Sequence, residues 1–214
     1  MKKIALILSL SALSLLMQNV EAATMDPASL VKVSGNNNPK CVEYYIYKGE
    51  TYCNTTSQST AHPDPKIKNY EKLKLIFDDR AWFASWGEKN DKITTVEYLP
   101  SGGDIKNWYE LVTTQFIPGI QDNVTPKQFA DLTIAELKKI NSIKYTTNFI
   151  DTTPDTVIFE FKVTAPDNLK QHELQKITKG SDGMYVEHYA IKVPDMDKAN
   201  RDKWLNILRS TKIK

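Results

Sequence analysis

The sequence predicts an α+β fold: a largely antiparallel β-sheet covered by helices. Three observations carry this prediction. Apolar residues alternate in Trp82/Ala84/Trp86, Ile143/Tyr145/Thr147/Phe149 and Val157/Phe159/Phe161/Val163, as strands with a buried face require. Gly180-Ser181-Asp182-Gly183 stands between two further strand-like runs, 172–179 and 184–193, and reads as a hairpin loop. The element order of strands, two helices, four strands and a last helix needs few long crossovers, which favours antiparallel pairing.

The first residues read as an export leader, residues 1–22. Lys2 and Lys3 precede the apolar run Ile4 to Met17, and Val20-Glu21-Ala22 offers a signal-peptidase site. The rival, an uncleaved anchor, is disfavoured because the run is short for a hydrocarbon core of about 30 Å. The full chain carries a net charge of +2 with acids and bases interspersed, and losing the leader brings it closer to neutral. Such a surface argues against nucleic acid as a partner, and no second long apolar run argues for stable membrane insertion. The destination is the periplasm or the outside of the cell.

Residues 23–66 read as a flexible N-terminal segment holding a small hairpin. Two polar tracts, 23–40 and 54–65, flank Cys41 and Cys53, the two cysteines of the chain. In an oxidising compartment a Cys41–Cys53 disulfide is expected, closing a ribbon that turns at Lys48-Gly49. A redox or metal role fits poorly, because the spacing is not Cys-x-x-Cys and no histidine clusters nearby. Tyr44, Tyr45, Tyr47 and Tyr52 crowd this ribbon. They are candidates for a partner-binding surface, or for the seam by which the hairpin docks on the rest of the chain.

Residues 67–214 form the main α/β domain. Strands are expected at Leu73/Leu75/Phe77, at 82–86 and at 92–99. A first helix is expected from Asp104 through Trp108, Leu111, Val112, Gln115 and Phe116. A second opens at Thr125-Pro126-Lys127-Gln128, where a capping box coincides with a first-turn proline. Strands return from 143, and a last helix spans Asp197 to Arg209 with Trp204 and Leu208 facing a core. The four tryptophans sit at periodic positions and read as core.

The string Glu97-Tyr98-Leu99-Pro100-x-Gly102, followed by Asn107-Trp108-x-Glu110-Leu111-Val112-Thr113-x-Gln115, resembles a motif of secreted bacterial proteins of PsbP-like α/β/α type. That superfamily also includes a Mog-type import factor that binds the Ran GTPase. The resemblance covers the main domain and implies an accessory or interaction protein, with no catalytic set to carry over. The exported context is similar to that of type II secretion substrates of bacterial pathogens, which implies a virulence role.

Gly102-Gly103 before a helix start suggests a phosphate loop, but a third glycine and a Lys-Ser/Thr pair are missing, and Asp104 would cap the helix and repel phosphate. Asp78-Asp79 reads as a solvated turn rather than a pair of glycosidase carboxylates. His172 and His188 lie in consecutive strands beside Glu173 and Glu187, which invites a hydrolase or metal-dependent site. If the 180–183 loop sets the register, however, Gln175 rather than His172 faces His188. No cofactor, metal or catalytic residue is therefore assigned. The expectation is a secreted, non-catalytic protein-binding domain acting as an effector, colonisation factor or envelope accessory protein. The alternatives are an enzyme with a scattered site around His172/His188 and a small-molecule or lipid carrier.

Overall fold

The computed structural model describes residues 31–32, 43–47, 50–54 and 66–214. Near the N-terminus, strands β1 (Val31–Lys32), β2 (Glu43–Tyr47) and β3 (Glu50–Asn54) form an antiparallel sheet in the order β1-β3-β2. The hairpin expected between the cysteines is thus present, and its register sets Cys53 opposite Tyr44. Cys41, and with it the expected disulfide, lies outside the described residues, as do the side chains of Tyr44, Tyr45, Tyr47 and Tyr52 and the leader.

The main sheet follows. After β4 (Leu73–Lys74) come β5 (Trp82–Lys89), β6 (Thr94–Pro100), β7 (Glu110–Pro118), helix α1 (Pro126–Leu137), β8 (Lys144–Thr152), β9 (Thr156–Ala165), β10 (Gln171–Lys179), β11 (Gly183–Ile191), helix α2 (Lys198–Ser210) and β12 (Lys212–Ile213). Seven strands pair antiparallel in the order β5-β6-β7-β11-β10-β9-β8, and β12 pairs with β4. Only Leu73 and Lys74 of the expected 73–77 run are strand; Leu75 and Phe77 instead pack against the core.

The first expected helix is a strand. Asp104 does cap a turn, its carboxylate accepting the Lys106 N–H, but that turn is a 3-10 segment of Ile105–Asn107, and β7 begins at Glu110. The reason is physical. β7 is a central strand buried on both faces, so its apolar residues do not alternate, and the β-branched run Val112-Thr113-Thr114 prefers extended backbone. Gly102 has φ 84°, which the tight turn out of β6 requires and which a side chain would resist.

The two true helices cover opposite faces. Strand alternation sends Phe159, Phe161, Ile177 and Val186 to one face, under Phe129, Ala130 and Leu137 of α1. It sends Tyr98, Val112, Leu174 and Tyr189 to the other, under Trp204, Leu205 and Leu208 of α2. The fully buried Trp204 stacks on Tyr189 with ring centroids 4.0 Å apart and meets the edge of Trp82 at 5.4 Å. The capping box of α1 forms as expected. Thr125 Oγ1 accepts the Gln128 N–H at 3.2 Å, and Gln128 Oε1 accepts the Thr125 N–H at 2.9 Å. Asp197 caps α2 with its carboxylate alone, accepting from Asn200 N–H at 3.0 Å. Trp86 departs from the core reading: it stands 38 % exposed on the edge strand β5.

Candidate functional site

The register decides the fate of His172 and His188. Gln175 pairs with His188 and His172 with Ile191. Residues three apart on one strand point to opposite faces, so His172 looks toward α2 and His188 toward the α1 face. The two cannot share a ligand.

His172 is fully buried. Its Nδ1 accepts the backbone N–H of Met196 at 3.0 Å, so the ring proton sits on Nε2, which donates to Glu160 Oε2 at 3.1 Å. Both nitrogens are spent. Burial lowers its pKa, against the pull of Glu160, so the ring is neutral. Glu160 also accepts from Arg201, with Nε to Oε2 at 2.7 Å and Nη2 to Oε1 at 2.9 Å, and from Asn148 Nδ2 at 3.2 Å. Burial pushes the Glu160 carboxyl up, but these donors, Arg201 foremost, outweigh it and hold the pKa at about 2. This cluster ties β8, β9, β10 and α2 together.

His188 is different. Its Nδ1 donates to Glu173 Oε1 at 2.7 Å; the same oxygen takes the Gln175 amide, and Glu173 Oε2 takes the Gln171 amide at 3.3 Å. A carboxylate that orients an imidazole and leaves Nε2 free is what general-base chemistry asks for. Here, however, Nε2 is itself buried and unpartnered, and the Oε1 of the buried Gln175 across the strand pair is likewise buried without a partner. A substrate has no approach to either atom in this arrangement. Among the described residues no group of three or more His, Cys, Asp or Glu side chains could hold a metal ion.

Two further networks lie outside what sequence reasoning found. The Asp78 side chain is buried rather than solvated: it accepts from Arg80 Nε at 2.9 Å, Trp82 Nε1 at 2.9 Å and Lys203 Nζ at 3.0 Å. Burial raises its carboxyl, and these donors, Arg80 first, bring it down to about 2. Arg80 in turn makes a two-pronged bond to Glu110, at 3.0 and 2.7 Å. Glu187, beneath the end of α2, takes the Thr211 hydroxyl at 3.1 Å on one oxygen, while its other oxygen is buried and unpartnered. Burial pushes Glu187 up to about 8 despite Thr211 and Lys176.

One open cleft lies at the far end of the sheet. Trp108, Leu137, Ile140, Val163 and Leu169 line it, with Lys192 at its rim. The Lys192 ammonium sits 4.4 Å from the centre of the Trp108 ring, a cation–π contact, and its backbone N–H bonds the carbonyl of Tyr109 at 2.9 Å. Tyr109 itself is 57 % exposed. No linear motif announces this cleft; its lining comes from four separate stretches of chain.

These features define an α+β domain built on an antiparallel sheet with one helix on each face. A protein-family model matches residues 71–214, well over half of the chain, and the chain belongs to that family. No curated protein matches it. Among solved structures it is similar to the solution structure of cyanobacterial PsbP (CyanoP) from Synechocystis sp. PCC 6803, with 14 % sequence identity, a TM-score of 0.41, and coverage of 74 % of this chain and 96 % of that one. Among the described residues, no helix is long and apolar enough to cross a membrane.

Proposed function

We propose that this chain is an exported, non-catalytic protein-binding domain, serving as an effector, colonisation factor or envelope accessory protein. One observation carries the reading: Trp86 on edge strand β5 and Tyr109 at the entry to β7 stand exposed on a rigid, helix-backed sheet. Large aromatics held on ordered backbone lose little entropy on contact and are enriched where proteins meet. The commitment of both imidazoles to buried carboxylates supports the same reading. So does the resemblance of the motif at residues 97–115 to PsbP-like and Mog-type proteins, which are accessory and interaction proteins. The leader at residues 1–22 supports export, and the tyrosine-rich hairpin offers a second contact surface.

The test is affinity capture from candidate host and envelope extracts with the processed chain. Parallel arms carry Trp86→Ala, Tyr109→Ala and a deletion of residues 23–66. A partner whose capture falls at least about tenfold on an aromatic substitution supports the reading. A hydrolytic activity that co-purifies with the chain and disappears in His188→Ala would replace it with an enzyme. A co-purifying apolar small molecule would replace it with a carrier.

A further inference from the structure

The geometry points to the cleft beside Trp108 and Lys192 as a docking site for a peptide that presents an apolar side chain next to a carboxylate. This deepens the protein-binding reading and rests on it. The floor is apolar: Leu137 ends α1, Ile140 lies in the turn after it, Val163 comes from β9 and Leu169 from the turn before β10. Such a floor accepts a leucine- or phenylalanine-sized group, whose removal from water favours the contact.

The rim supplies the charge. Lys170 is paired with Asp167 at 2.8 Å. No carboxylate of the described residues pairs with Lys192, whose ammonium is held over the indole. Partial burial lowers the Lys192 pKa with no anion to offset it, and an arriving carboxylate would supply one. The side chain remains exposed to such a ligand.

The edge favours a peptide over a lipid. Asn168 and Gln171 stand at the cleft, and their carboxamides can serve a peptide backbone in a way an acyl chain cannot use. The cleft has a cavity volume of only about 50 Å³, too small to enclose a fatty-acid tail. Gln171 also donates to Glu173, the carboxylate that holds His188, so an occupant has a route by which to be sensed in the buried polar row.

The experiment is a titration of the ¹⁵N-labelled chain, followed by amide and indole resonances, with three probes. These are the tetrapeptide Ser-Glu-Leu-Phe with a free carboxyl end, its uncharged counterpart Ser-Gln-Leu-Phe-amide, and oleate. The acidic peptide is expected to shift the Trp108 indole N–H and the Lys192 amide, with a Kd of about 0.1–1 mM. Binding should weaken about tenfold for the uncharged peptide and for the Lys192→Gln chain, while Lys179→Gln, at the far end of β10, leaves it unchanged. Absent shifts at millimolar peptide, shifts mapping elsewhere, or saturation of the cleft by oleate in preference to peptide overturns the proposal. If the cleft stays silent while a captured partner still depends on Trp86, the docking site is wrong and the binding reading stands.

Discussion

The two faces of the sheet handle the same chemistry in opposite ways. Each buries a histidine against a glutamate. On the α2 face, Arg201 reaches down from the helix and neutralises Glu160, and every polar atom of His172 finds a partner. On the α1 face, Glu173 collects three side-chain donors but no cation, and His188 Nε2 and Gln175 Oε1 are left over. The lesson is that a buried His–Glu pair is a structural rivet when a helix brings a counter-charge, and an incompletely satisfied layer when none arrives.

That contrast predicts unequal costs. Arg201→Met strips Glu160 of its cation and should lose about 3–5 kcal/mol in urea unfolding, because it leaves a charge buried without its partner. A loss under 1 kcal/mol would mean that the α2 face is not held by this pair. The acid limb of stability comes next. Glu160 and Asp78 are both held near 2, below their ordinary 4.5 and 3.8. Their contribution is therefore complete above those ordinary values and is lost as the pH falls toward 2. For Glu160 it is on the order of 3 kcal/mol, and Arg201→Met should flatten this limb.

Glu187 has the opposite sign. Raised to about 8 in the fold, it stays protonated while the unfolded chain ionises near 4.5. Stability is therefore shed as pH climbs from 4.5 to 8. Glu187→Gln should abolish that slope and stabilise the protein at pH 8 by roughly 4 kcal/mol, read as a shift of the urea midpoint with unchanged m. The smallest effect belongs to the other face. Gln175→Met removes an oxygen that bonds nothing together with one of the three donors to Glu173, which keeps His188 and Gln171, so stability should change by only about 1 kcal/mol. A larger loss would show that the α1 face is as tightly held as its counterpart.

Much of the framework was legible because its signals are local. The Thr125–Gln128 box, the Asp197 cap and the loop at 180–183 all act within a few residues, and the loop even set Gln175 opposite His188. β7 was misread as helix because a doubly buried central strand carries no two-residue alternation, and Leu111, Val112, Gln115 and Phe116 happen to fall at helical spacing. The run Val112-Thr113-Thr114 was the signal that could have corrected it. Asp78 looked like a solvated turn because one of its partners, Lys203, lies at the other end of the domain. The Glu160–Arg201 bond spans β9 to α2, and the Lys192–Trp108 contact joins two loops. Pairings of that range follow from the finished packing rather than from spacing along the chain, so neither the rivet nor the cleft could be read in advance.

The short ladder between β4 and β12 carries its own consequence. Leu73 faces Ile213, Lys74 faces Lys212, and the Lys214 N–H reaches the carbonyl of Lys72. The chain thus enters and leaves the folded domain at one doorway. A tag or fusion at the tail would therefore emerge beside Lys72 and Leu73, on a part of the domain that contributes nothing to the cleft near Trp108. Joining the two ends and opening the loop at 180–183 should yield a permuted chain that still folds.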